Sequence, residues 1–213
     1  MSNFLAKLIN NVSGGIYGLL SILFGIIGDV VAIRLYPGYD FTKSAVSTLC
    51  RGPGWLFFQS GTVLSGLFAV FFLISLSRSF NEKEVGKKFN RMTIFVALIS
   101  CTTFIGLGFF CGSNPIVALI HGTCAVITWI SGIIYITSFN ILMNRDSQYS
   151  NFLVYIGFLT SFILFSMIVL FFLHFFPDLR FLMFVLPTIE WLNTISLIIW
   201  YFVISTYMIF KKI

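Results

Sequence analysis

The side chains of this chain that could do chemistry are few and far apart in sequence. They are Asp29, His121 and Glu190, with Ser44 and Ser47 in one long polar run, YPGYDFTKSAVSTLCRGPGW at 36–55. An imidazole oriented by a carboxylate can serve as a general base, and a nearby hydroxyl or a water can then attack an acyl group. His121 would be that base, with Asp29 or Glu190 orienting it. No G-x-S-x-G elbow accompanies the serines. Lys43 and Arg51, in the same polar run, are charged donors suited to phosphate. Two histidines and two carboxylates suit zinc by type. The chain has no H-x-x-H or H-E-x-x-H spacing, and each ligand would come from a different segment, so neither a metal nor another cofactor is expected. A haem between His121 and His174 would need both rings at bundle depth, and both lie too near the ends of their segments.

Composition says what must hold these groups. The chain has 213 residues, 58% of them hydrophobic and only 9% charged, with a mean hydropathy of +1.00. Soluble domains carry about 25% charged residues, so there is too little polar material here to coat a water-facing surface. The expected class is an all-α, multi-pass integral membrane protein forming one domain over 1–213. Six windows reach the roughly 20 apolar residues that a spanning helix needs: 14–35, 55–76, 92–110, 116–143, 152–175 and 186–210. The net charge of +6 comes without any basic patch interleaved with aromatics. It fits basic loops beside anionic lipid rather than nucleic acid. The amino-terminal stretch lacks a small-residue cleavage site, and Phe4, Leu5, Leu8 and Ile9 around Lys7 could form a short interfacial helix.

Basic residues orient the bundle. With the amino terminus inside, the inner segments hold Lys7, Arg78, Lys83, Lys87, Lys88, Arg91, Arg145, Lys211 and Lys212, and the outer ones Arg34, Lys43, Arg51 and Arg180. The excess predicts both termini cytoplasmic and puts the 36–55 run outside. The sequon at Asn11 then falls on the cytoplasmic side. In this orientation Asp29, His121, His174 and Glu190 all sit in the outer half of their spans, and the inner half contains no ionisable group. Charges within spans are costly and mark functional sites. An outward-facing cleft lined by Asp29, His121 and Glu190, roofed by the 36–55 loop, accounts for this clustering; His174 reads better as an interfacial residue.

Cys50 and Cys111 both fall in outer loops, where an oxidising compartment permits a disulfide; the pairing stays open at this point. Cys101 and Cys124 read as packing residues. Gly14, Gly18, Gly25 and Gly28, with Ser60, Gly61, Ser65 and Gly66, allow close helix approach. The 27 phenylalanines suit a lipid-facing surface or an acyl-chain groove.

Three segments carry a family resemblance: FTKSAVSTLCRGPGWLFFQSGTVLSGLFAVFF, HGTCAVITWISGIIYITSFNIL and IEWLNTISLIIWYFVISTYMIF. In order and topology they resemble the six-helix membrane family of the damage-regulated autophagy modulators and the FGF-receptor-activating-protein-like proteins, with its uncharacterised prokaryotic relatives. The family's loop usually has an acidic residue where this chain has Thr48, and often Glu-Arg where it has Gly54-Trp55. The resemblance implies lipid handling, since relatives include a GPI-anchor lipid-remodelling factor and a plasma-membrane partner of phosphatidylinositol 4-kinase. It also places His121, Glu190, Trp191, Ser44 and Ser47 on family motif positions.

The leading expectation is a lipid-handling protein that binds a lipid headgroup in the outer cleft, with Ser44, Ser47, Lys43, Arg51 and Trp191 as ligand-binding residues and membrane lipids as partners. One alternative is an outer-leaflet hydrolase or acyltransferase using His121 with Asp29 or Glu190. The other is a proton or ion pathway, against which the apolar inner half argues.

Overall fold

The structure, a computed structural model, describes residues 13–173 and 176–213. The expected interfacial helix at 4–9, the sequon at Asn11 and His174 lie outside the described residues. Among those residues there are six helices long and apolar enough to cross a membrane. They are α1 (Gly14–Arg34), α2 (Trp55–Ser79), α3 (Lys87–Phe109), α4 (Pro115–Arg145), α5 (Asn151–Leu173) and α6 (Leu186–Lys211). The chain is an all-helical, multi-pass integral membrane protein.

The apolar windows mark the spans well, but not every helix end. α3 begins at Lys87, five residues before the expected 92, so the charged KKFNR turn is helical and extends beyond the apolar stretch. Hydropathy reports what lies in hydrocarbon, whereas the helix continues as long as its backbone bonds are made. Local chemistry sets the starts. Gly86, at φ 83°, turns the chain into α3. Asn114 caps α4 by accepting from Ile116 N–H at 2.9 Å, and Pro115 takes the first helical position, where no N–H is needed. With 31 residues α4 is about 46 Å long, longer than the roughly 30 Å hydrocarbon core.

The spans form a ring in chain order. Each packs on the next, and α6 closes the ring against α1. Small residues make the tightest crossing: a Cβ added to Gly28 would lie 2.8 Å from Gly61 Cα, so α1 and α2 touch backbone to backbone. Ser21 Oγ donates to Ser65 O across the same interface at 2.9 Å, and the Thr103 and Thr128 hydroxyls bond α3 to α4 at 2.8 Å.

The two halves of the ring differ. Towards the start of α1 and the end of α6 the centre is solid. Phe72, Leu76, Phe139, Met143, Trp200 and Ile204 pack there with essentially no exposure. Polar staples seal that end. The Asp146 carboxylate accepts from Asn81 N–H at 2.8 Å and from the Gln148 side-chain amide at 3.0 Å, and the Tyr207 hydroxyl donates to Gln148 O. Towards the other end, where the 35–54 loop lies, the centre is hollow.

Candidate functional site

The polar loop is a folded lid. Residues Val46–Arg51 form a 3₁₀ turn whose Val46, Leu49 and Cys50 are buried with Ala32 and Phe58 in a small second core. Three fixings hold it. Cys50 forms a disulfide with Cys111 after α3, with the Cα atoms 5.0 Å apart. Trp191, one residue beyond Glu190 on α6, donates from Nε1 to Ser44 O at 3.1 Å and to the Tyr39 hydroxyl at 3.2 Å. Glu190 accepts from Ser47 N–H at 2.9 Å, with the Ser47 hydroxyl at 3.4 Å from its other oxygen. Tyr39 donates to Ser44 O and Ala45 O at 3.0 and 2.8 Å. Burial pushes the Tyr39 hydroxyl up, the bonds from Trp191 and Thr48 oppose that, and the Glu190 and Asp29 carboxylates add to it.

Beneath the lid, residues of all six spans line a partly open cavity of about 360 Å³. Asp29, Ser47, His121 and Glu190 line it together, from α1, the lid, α4 and α6. The wall deeper in is largely apolar, with Phe104, Trp129, Leu164, Met167 and Phe171 among its side chains. The volume is within the usual range for small-molecule sites, roughly 300–1,000 Å³.

The other sequence-derived site residues lie elsewhere. Lys43 is exposed and pairs with Asp40 at 3.5 Å. Asp40 accepts from the Thr42 hydroxyl and N–H at 2.7 and 2.9 Å, which holds its carboxyl below the ordinary range. Arg51 is exposed at the end of the 3₁₀ turn. Neither cation lines the cavity, nor does Ser44, whose carbonyl is taken by Trp191 and Tyr39. Trp191 fastens the lid.

The sequence matches the family described as "Protein of unknown function (DUF998)" over residues 19–207. The chain belongs to this family. No curated protein and no solved structure matches it. The DUF998 match runs from the second turn of α1 to the last turns of α6, so it takes in all six spans, the lid and the cavity.

What this DUF998 site can do chemically depends on how its groups are partnered. His121 Nδ1 lies 3.2 Å from Leu107 O and 3.8 Å from Cys50 Sγ. A carbonyl only accepts, so in that contact Nδ1 carries the proton. Among the described residues no hydrogen bond joins His121 to Asp29, Glu190 or a lid hydroxyl. Cys50, Cys111 and His121 bring potential metal-ligand atoms within 4.8 Å of one another. With the two sulfurs bonded to each other, neither is a thiolate that could bind zinc.

Two polar residues that follow Glu190 on α6 line the cavity and lie outside the sequence-derived set. Asn193 is 5% exposed, lines the cavity and has no partner for its side-chain oxygen. It stands three residues after Glu190, hence on the same helix face. Thr194 lines the cavity too, its hydroxyl donating to Glu190 O at 3.1 Å. The signal for Asn193 was present in that spacing; an uncharged amide in an apolar span attracts less notice than an acid.

Proposed function

We propose that this protein handles membrane lipid by taking an amphiphile into the central cavity, its polar end under the lid and its chain against the apolar wall. One observation carries the reading: the bundle is packed solid at one end and hollow at the other, and Asp29, His121 and Glu190 line that hollow together within a largely apolar wall. A bundle that served only as an anchor would gain by filling that space, because voids forfeit packing contacts. The resemblance to lipid-handling six-helix proteins points the same way. The basic-residue count orients the lid outward, and the amphiphile would then come from the outer leaflet.

The hydrolase reading lacks the hydrogen-bonded His–carboxylate pair that it needs, since His121 is oriented by a backbone carbonyl. The proton-pathway reading must cross the packed end of the ring.

The test is native mass spectrometry and lipid extraction on protein purified in mild detergent, beside an Ala125→Phe variant that fills the cavity from α4. A retained amphiphile, present at about one per chain in the wild type and depleted in the variant, supports the reading. No retained amphiphile, together with no binding in liposome assays, contradicts it.

A further inference from the structure

The chemistry of the cavity's polar pole narrows what its occupant carries. Two carboxyl groups line the chamber, Asp29 and Glu190, and no lysine or arginine among the described residues does. Glu190 is partly satisfied by Ser47 N–H. Asp29 has no hydrogen bond and no ion pair among the described residues. Asn193, 5% exposed on the same α6 face as Glu190, keeps a side-chain oxygen without a partner, and a half-turn of its amide presents either end to the chamber. Unpaired acceptors in a low-dielectric site are costly until something donates to them. Lys43 and Arg51, the cations suited to a phosphate, are both exposed, and neither is among the lining residues of the chamber.

From these observations we infer that the polar end of the ligand is an amine or ammonium group, received by Asp29, Glu190 and Asn193. The inference rests on the cavity-binding reading and adds the charge to it. A phosphate monoester would meet two carboxyl groups and no fixed cation there. A zwitterionic headgroup would enter ammonium first.

The experiment uses the full chain in nanodiscs of uncharged lipid and four probes below their micelle-forming concentrations. Dodecyltrimethylammonium, dodecanol and dodecyl phosphate share one chain and differ in the head. Tetramethylammonium has the head without the chain. Binding is read by the shift in thermal unfolding and by displacement of the retained amphiphile, with the Ala125→Phe variant subtracted to remove partitioning into the bilayer. The expected result is dodecyltrimethylammonium bound at least tenfold more tightly than dodecanol, dodecyl phosphate weakest of the three, and tetramethylammonium without effect. Asp29→Asn is expected to lower the ammonium affinity at least tenfold and leave dodecanol within about twofold.

Equal binding of dodecanol and dodecyltrimethylammonium, or preference for the phosphate, overturns the inference while leaving the cavity reading intact. Failure of all three chain-bearing probes overturns both. Tetramethylammonium binding as tightly as the long-chain probe would make the site one for a soluble amine, keeping the charge and removing the lipid. Ammonium selectivity unchanged in both Asp29→Asn and Glu190→Gln would also overturn the assignment, whatever the selectivity itself.

Discussion

Glu190 and Asp29 are both carboxylates within spans, yet they answer to different forces. Glu190 holds the lid by accepting from Ser47 N–H, so Glu190→Ala leaves that donor unpaired and is expected to cost about 1–3 kcal/mol, read as a lowered unfolding temperature in detergent. Glu190→Gln keeps an acceptor oxygen and is expected to lose less than half as much. Asp29 has no hydrogen-bond or ion-pair partner to lose among the described residues. Asp29→Leu removes a costly group from a span and is expected to raise stability by about 1 kcal/mol or more while reducing ligand retention. A fall in stability would mean that Asp29 serves a structural bond instead. Polarity and depth make Asp29, His121 and Glu190 legible in sequence as one group, because a charge in an apolar span stands out. Their partners are not legible: nothing in the sequence says that Glu190 meets Ser47 while His121 turns to the Leu107 carbonyl.

The lid is the element that sequence reads only in part. Its place between two spans and its polarity are plain, but its fold depends on contacts with residues far along the chain. Trp191 reads from its motif as a ligand-binding residue and in the structure anchors the loop through Ser44 O and Tyr39. Cys50 and Cys111 are 61 residues apart, and the sequence offers their bond only as an option. Of four cysteines, two are free, Cys101 and Cys124. Thiol titration of denatured protein is therefore expected to count two groups before reduction and four after it. Losing the cross-link through Cys111→Ser is expected to cost about 2–4 kcal/mol and to make the lid accessible to protease. Four thiols before reduction would show the lid to be held without a covalent link.

At the scale of the whole molecule, the ring of six spans is a consequence of small residues where neighbours cross and of large ones where the centre is filled. Gly61→Leu drives a side chain into the α1 backbone at Gly28 and is expected to destabilise by about 3 kcal/mol or more, well beyond the effect of the same change at Gly122, half-buried beside the cavity, where an added Cβ would meet open space. The number of spans and their approximate limits follow from apolar runs. The hollow does not, because the chamber exists only through the order of packing around the ring, and hydropathy is blind to whether an apolar face meets lipid, a neighbour or a void. Orientation remains a matter of charge. A reporter fused after Ile213 is expected to be active only if it folds in the cytoplasm, as the basic-residue count requires.

The most direct measurement is the occupancy of that chamber. Native mass spectrometry of the wild-type chain, released gently from detergent, is predicted to show an added mass equal to one amphiphile per chain. In Ala125→Phe, with the fold retained by circular dichroism, that mass is predicted to be largely lost. A wild-type chain that flies bare, or an adduct that persists undiminished when the cavity is filled, would contradict the account.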